Sequence, residues 1–170
     1  MDAFAATRGP NSLIEGFAGT ITTPVDANYP AARAIWNGQV DRRPAVIATC
    51  RDAGDVAAAV RFARREGLPV AVRGGGHHVA GHSLCDGGLV VDLSAMRGVA
   101  VDAAAAESDG NTSVLVDGGA RLGDLDRATL GTGLLVPSGI VTDTGVGGLT
   151  LGGGVGWMMR RFGLTCDSLT

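Results

Sequence analysis

Arg73-Gly74-Gly75-Gly76-His77 is the stretch that determines most of what this sequence predicts about fold and chemistry. It follows the apolar run Pro69-Val70-Ala71-Val72, which predicts a short buried strand that ends in a loop with almost no side-chain bulk. Consecutive glycines allow positive φ angles and let backbone N–H groups approach a ligand, where successive amides form a concave anion site. The pattern therefore indicates phosphate binding beside a histidine.

The pattern around this loop predicts a strand, helix and strand in a parallel or mixed sheet. Residues 44–50 are apolar on both faces, as in a central strand, and residues 89–93 form a further apolar strand after the loop. A helical period predicts a helix that begins near Asp52 and ends at Gly67. Its predicted buried face consists of Val56, Ala59, Val60 and Ala63.

The remaining segments complete a mixed α/β (α+β) chain of two small subdomains. Residues 1–38 predict a loosely packed lead-in and a helical segment, 28–37, in which Trp36 packs as an anchor. Residues 39–105 form the first predicted subdomain, which closes with a strand at 99–101. Residues 106–170 form the second, with a turn at 107–112, a strand at 113–117 and a helix at 122–130 that buries Leu122, Leu125 and Ala128.

Composition excludes several classes of partner. The chain has 170 residues, of which 45% are hydrophobic and 18% charged, and its formal net charge is -3. The basic runs Arg64-Arg65 and Arg160-Arg161 are too short for a nucleic-acid surface, and no apolar stretch approaches the ~20 residues that span a membrane. Three widely separated cysteines, at positions 50, 85 and 166, are typical of reduced thiols. We expect a cytoplasmic protein without nucleic-acid or membrane contact.

A second glycine-rich stretch, residues 144–156, contains seven glycines. Two compatible interpretations are that two backbones pack closely there, or that the backbone lies against a ligand and donates its N–H groups. Neither glycine block follows G-x-G-x-x-G, because the sixth residue is Thr150 counted from Gly145 and Trp157 counted from Gly152. The Walker pattern fails for want of a lysine, so nicotinamide-type Rossmann sites and nucleoside triphosphatases are disfavoured.

Together the two blocks resemble those of the FAD-linked oxidases related to berberine bridge enzyme and 6-hydroxynicotine oxidase. The first block continues through Val79-Ala80-Gly81, and the second through Arg160-Arg161-Phe162-Gly163-Leu164-Thr165. Ala34-Ile35-Trp36-Asn37 and residues 43–48 also fit this family, so the resemblance extends from about Pro30 to Thr170. It implies a PCMH-type FAD-binding domain whose second subdomain is incomplete here, with the substrate domain absent.

The resemblance implies that FAD is the cofactor and is bonded covalently through its 8α-methyl group to His77. It names no catalytic residue here, because the catalytic base is expected from the absent C-terminal part. It implies further cofactor contacts at Arg73, Gly74, Gly75, Gly76, His78, Val79, Gly81 and His82 in the first block, and around the second at Pro137, Ser138, Gly139, Thr144, Gly145, Gly147, Gly148, Gly152, Gly153 and Gly154.

One position departs from the family pattern. Many members attach the flavin a second time through a cysteine just before the second block, and the aligned residue here is Val141. Valine has no thiol, so the resemblance implies a single attachment, through His77, without a cysteinyl link. In this family single attachment accompanies more closed substrate sites, which favours a small substrate.

The three histidines His77, His78 and His82 also raise the question of a metal site. No carboxylate or cysteine completes the set at a usual spacing, so we expect no metal. His78 and His82 are then expected to be solvated or hydrogen-bonded loop residues.

The activity implied by the resemblance is that of an oxidase. A small organic substrate passes a hydride to FAD, and dioxygen then takes the electrons, giving hydrogen peroxide. Two alternatives remain open: a dehydrogenase or reductase of the same fold that holds FAD without a covalent bond, and an inactive truncated flavin-binding fragment.

Overall fold

The computed structural model describes residues 13–102 and 112–170. The chain combines strands and helices in a mixed α/β arrangement, which confirms the predicted fold class. The chain forms two compact units that divide between Ala95 and Met96. The predicted turn at 107–112 and the predicted subdomain boundary after residue 105 fall almost wholly outside the described residues.

The elements of the first unit are β1 (Thr20–Thr22), α1 (Tyr29–Ala32), β2 (Val46–Thr49), α2 (Ala53–Glu66), β3 (Val70–Arg73) and β4 (Leu89–Asp92). Its four strands form a mixed sheet in the order β1-β2-β4-β3. Strands β2, β4 and β3 are parallel, and β1 pairs antiparallel with β2. This arrangement confirms the mixed sheet and the central place of the strand predicted at 44–50.

Strand β3 lies at the end of the strand order and is only half buried. Ala71 and Arg73 are buried, whereas Val70 and Val72 are 45% and 57% exposed. The prediction of a buried strand was therefore wrong for one face. Burial of the two faces of a strand depends on what packs above and below the sheet, so an apolar run does not imply that both faces are buried.

Helix α2 has the predicted ends but a different buried face. The Asp52 carboxylate accepts a hydrogen bond from the Asp55 N–H at 2.9 Å, and Gly67 ends the helix with a φ of 65°. Val60 is 46% exposed, which corrects its predicted burial, because the sheet-facing stripe passes through Ala58 and Phe62 instead. The buried residues are Asp55, Ala58, Ala59, Phe62 and Ala63.

The lead-in differs most from its prediction. It contributes β1, which has only three residues, too few for a periodic pattern to predict. Helix α1 is a single turn. Tyr29 provides the packing anchor expected of Trp36: its side chain is buried and its hydroxyl donates to the Pro44 carbonyl at 2.8 Å. Trp36 is 63% exposed. The core around Tyr29 also contains Ile47, Ala71, Leu84 and Val90.

The second unit pairs β5 (Val99–Asp102) antiparallel with β6 (Ser113–Val116). The strand predicted at 99–101 therefore lies with the second unit. Helix α3 (Leu122–Thr129) buries Leu122 and Leu125 as predicted, although its third buried residue is Thr129 and not Ala128. Part of the second glycine block is helical, as α4 (Val146–Leu151), and is followed by α5 (Met159–Phe162) and a 3-10 turn (Thr165–Ser168).

Among the described residues, no helix is both long and apolar enough to cross a membrane.

Candidate functional site

The first candidate site is the loop of residues 74–82, which follows β3 at the carboxyl edge of the three parallel strands. Ligands of open α/β sheets bind outside this edge. Arg73 lies at the base of the loop, with Nε and Nη2 donating to the Asp92 carboxylate at 3.1 and 2.7 Å. Its Nη1 donates to the Ala32 carbonyl at 2.6 Å. The guanidinium thus holds the end of β3, and its Nε, Nη1 and Nη2 atoms all donate to protein acceptors.

This loop contains backbone N–H groups that have no acceptor among the described residues. Within the ranges 13–102 and 112–170, no group accepts a hydrogen bond from the N–H of Gly74, Gly75 or Gly76. Only Gly76 of the three has a positive φ, at 70°. Because a Cβ there would meet side chains no nearer than 3.7 Å, the backbone conformation and not the available space calls for glycine. Adjacent amide donors of this kind suit an anionic ligand.

His77 follows these amides directly and is partly buried. Its Nδ1 lies 3.1 Å from the Gly75 carbonyl oxygen. Because a carbonyl can only accept, Nδ1 carries the proton in this arrangement. The imidazole also stacks on the indole of Trp36, with ring centroids 5.6 Å apart and planes inclined by 21°.

The rest of the loop is shaped by local contacts. His78 and His82 are exposed, their rings meet edge to face at 4.6 Å, and the Ala80 N–H donates to Nδ1 of His78 at 3.2 Å. Val79 is exposed, and its carbonyl accepts from the Asn37 side chain at 2.8 Å. Gly81 is buried with a φ of 71°, and a Cβ there would lie 2.6 Å from the Val40 side chain. Gly81 therefore serves packing.

The second candidate site lies within the second unit, where the segment 137–139 meets the second glycine block. A Cβ on Gly156 would overlap the Ser138 carbonyl oxygen, and a Cβ on Gly139 would overlap the Leu149 side chain. A Cβ on Gly154 would overlap Thr165 in the 3-10 turn. The interpretation that two backbones pack closely is thus confirmed for Gly156, whereas Gly139 and Gly154 leave room for side chains.

Gly148 is different from these packing glycines. It is exposed in the middle of α4, and no atom lies within 4 Å of a Cβ placed there. Glycine inside a helix costs about 1 kcal/mol relative to alanine, so neither packing nor helix stability accounts for it. A close approach by a ligand would account for it.

The other predicted positions of the second block serve the backbone of the unit. The Thr144 carbonyl accepts from the Leu122 N–H, and the Gly145 carbonyl accepts from the Leu149 N–H. A Cβ on Gly147 would lie 3.2 Å from the Gly118 carbonyl oxygen. Pro137 is partly exposed in irregular structure; Gly152 follows α4, where its N–H donates to Gly148 and Leu149; Gly153 has a φ of 106°.

Burial disfavours the thiolate form of two of the three cysteines. Cys50 is fully buried, and burial raises the pKa of its thiol to about 12. Burial also raises the pKa of Cys85. Across the part of the chain that the structure describes, no three His, Cys, Asp or Glu side chains cluster as a metal site would require.

Three side chains that shape the first loop were not predicted as site residues. Trp36 stacks on His77, Asn37 holds the Val79 carbonyl, and Asp92 anchors Arg73. The available signals were the fit of residues 34–37 to the family pattern and a carboxylate at the end of an otherwise apolar strand. Periodicity alone gives no function to either.

Comparison with known proteins gives consistent matches. The profile of a family described as FAD binding domain matches residues 44–170. The chain is 38% identical over 151 residues to the uncharacterized FAD-linked oxidoreductase YgaK of Bacillus subtilis, covering 89% of this chain and 32% of that protein. It is 37% identical over 151 residues to (R)-6-hydroxynicotine oxidase of Paenarthrobacter nicotinovorans, with the same two coverages.

Among solved structures, BBE-like 1 of Physcomitrella patens superposes with a TM-score of 0.84 at 29% identity, covering 94% of this chain and 34% of that protein. The chain therefore spans about a third of the length of the relatives that it matches.

Proposed function

This chain belongs to the FAD binding domain family, and on that premise we propose that the complete protein is an FAD-dependent oxidase. The names of its relatives, FAD-linked oxidoreductase and oxidase, support this class of reaction. Bound FAD would accept a hydride from a small organic substrate and pass two electrons to dioxygen, giving hydrogen peroxide. The observation that carries the proposal is the amide-rich loop, followed at once by His77, at the carboxyl edge of the sheet.

The loop fits the diphosphate of FAD by the chemistry of its donors. The amides of residues 74–76 donate to no protein group in the described ranges, and the positive φ of Gly76 turns the chain there. Each amide would give a charge-assisted hydrogen bond to a phosphate oxygen. The ion pair of Arg73 with Asp92 keeps the start of the loop in place.

We further propose that His77 bonds covalently to the 8α-methyl carbon of FAD. Forming that bond would replace the N–H bond of the imidazole and one C–H bond of the methyl group. The two electrons and two protons so released would pass to dioxygen, giving hydrogen peroxide. This bond would prevent loss of the cofactor and make it a stronger oxidant.

We propose no second, cysteinyl attachment of the flavin. Val141, the residue aligned with the second attachment point, is 52% exposed and carries no thiol. Gly148, whose surface is open, is the residue of the second block best suited to close contact with the cofactor.

The test is His77→Ala in the complete protein, with His78→Ala as the matched control. His78 is the exposed neighbour in the same loop, and any non-covalent contact that it makes with the cofactor is separate from the bond at His77, so its removal should leave that bond intact. Intact-mass spectrometry under denaturing conditions should show the added mass of FAD in the wild type and in His78→Ala, and none in His77→Ala. Hydrogen peroxide should form in air with a productive small substrate.

Each part of the proposal has an outcome against it. Flavin that remains bound after denaturation of His77→Ala would contradict the assignment of the bond. Flavin released by acid from the wild type would favour the non-covalent dehydrogenase or reductase. Substrate oxidation that requires a dye and yields no peroxide would exclude the oxidase. The proposed cytoplasmic location is tested by cell fractionation.

A further inference from the structure

Trp36 has an unusual environment for a tryptophan of a small α/β unit. Its side chain is 63% exposed, so burial in the core does not explain its place. One face of its indole nevertheless lies against the imidazole of His77, with centroids 5.6 Å apart and an inclination of 21°. Offset stacking of this kind is favourable beyond the area that it buries.

The neighbours of Trp36 hold the same loop through directional contacts. The backbone N–H of Trp36 donates to the carbonyl of Gly76, the residue immediately before His77, at 3.2 Å. The Asn37 side chain donates to the Val79 carbonyl at 2.8 Å, two residues after it. The segment 35–37 therefore fixes the backbone on both sides of His77 and covers one face of its ring.

We propose that Trp36 is a positioning residue that holds the His77 imidazole in the orientation required for bonding to the flavin. The inference rests on the proposed covalent attachment and adds a residue that acts through His77 without touching the reacting carbon. The His77 side chain is partly buried, and two of its contacts are directional. The indole face and the contact of Nδ1 with Gly75 restrict both the plane and the edge of the ring.

A positioning role makes a specific kinetic prediction. Removing the stack should slow the bonding step, because fewer molecules hold the ring in a reactive orientation. It should leave the affinity for FAD nearly unchanged, since the backbone amides of residues 74–76 remain. A merely structural role would lower FAD affinity and thermal stability together.

The experiment uses the complete protein prepared without flavin and mixed with increasing concentrations of FAD. Covalent flavin is followed by denaturing intact-mass spectrometry in wild type, Trp36→Leu and Trp36→Phe. Leucine keeps apolar bulk without an aromatic face, and phenylalanine keeps a smaller one. Val25→Ala removes another exposed apolar side chain, 78% exposed, and serves as the control.

We expect the maximal attachment rate of Trp36→Leu to fall about threefold to tenfold, the range that corresponds to one aromatic pair. The half-saturating FAD concentration should change less than twofold, Trp36→Phe should recover at least half of the lost rate, and Val25→Ala should match wild type. A wild-type rate in Trp36→Leu overturns the inference, as does equal loss in both variants with lowered melting temperatures. If the wild type itself never forms the bond, the attachment proposal fails first and this inference with it.

Discussion

The ion pair between Arg73 and Asp92 is the contact whose loss should most disturb the first glycine loop. Both side chains are buried, at 11% and 4% exposure, and the pair is bidentate. Asp92 also accepts from the Ser94 hydroxyl at 3.0 Å and from the Thr49 hydroxyl at 3.2 Å. Asp92→Ala therefore leaves a buried guanidinium without its counter-ion, directly before the amides of residues 74–76.

The expected cost follows from what each variant leaves behind. Removing one partner of a buried pair costs about 3–5 kcal/mol, because the remaining charge loses its compensation. Asp92→Ala should reach this range, because of the acceptors described above Arg73 then keeps only the Ala32 carbonyl. Arg73→Met should lie at the lower end, because the Asp92 carboxylate keeps its Ser94 and Thr49 donors. The double variant should lose about 2 kcal/mol less free energy of unfolding than the two single variants lose together.

Urea titration of the complete protein measures these free energies of unfolding, and the flavin content of each purified variant reports on the loop. Glu66→Ala is the control: it breaks the exposed Arg65–Glu66 pair, whose atoms are 3.0 Å apart, and should cost less than about 1 kcal/mol. A loss below 1 kcal/mol in Asp92→Ala would refute the reasoning. Full flavin content in an Asp92→Ala protein destabilised as expected would show that the pair does not hold the loop.

Two further predictions concern the second unit. Gly148→Ala should stabilise the fold by up to about 1 kcal/mol while weakening FAD binding, whereas Gly156→Ala should destabilise it because its Cβ overlaps the Ser138 carbonyl; calorimetry and FAD titration separate the two, and undiminished FAD affinity in Gly148→Ala would remove Gly148 from the site. Hydrogen bonds from the Arg121 N–H and the Arg97 side chain lower the pKa of Asp124. Ionised Asp124 should stabilise the fold by about 1 kcal/mol at pH values above its unfolded-state pKa. This stabilisation should be lost as the pH falls through the lowered folded-state pKa. The difference in free energy of unfolding between wild type and Asp124→Asn should therefore disappear in acid, and a constant difference would contradict this.

Local chemistry explains which parts of the fold the sequence predicted. Helix α2 could be predicted because Asp52 caps its start and Gly67 its end, and both act within one turn of the chain. The strands at 44–50 and 89–93 could be predicted because continuous apolar runs are typical of buried strands. The face of α2 was misplaced since the direction of burial depends on where the sheet lies, which is not a local property.

The candidate site divides in the same way. Glycines 74–76 and His77 stand together in the chain, so their amides and imidazole were predictable as one loop, and the family likeness added the cofactor. Trp36 lies about forty residues earlier, and its hydrophobic character predicted burial. Its stacking on His77 arises because the Trp36 backbone lies against the loop after β3, a contact that no local pattern encodes.

By itself the sequence determined the mixed α/β class, the two glycine-rich segments and membership of a flavin-binding family, because these depend on neighbouring residues and their order. Only the tertiary structure decided that Arg73 faces Asp92, that Gly156 and Gly154 serve packing while Gly148 stays open, and that an exposed indole stacks on the histidine. Those features depend on the meeting of segments that are distant in the chain, and such meetings are set by the packing of the whole unit.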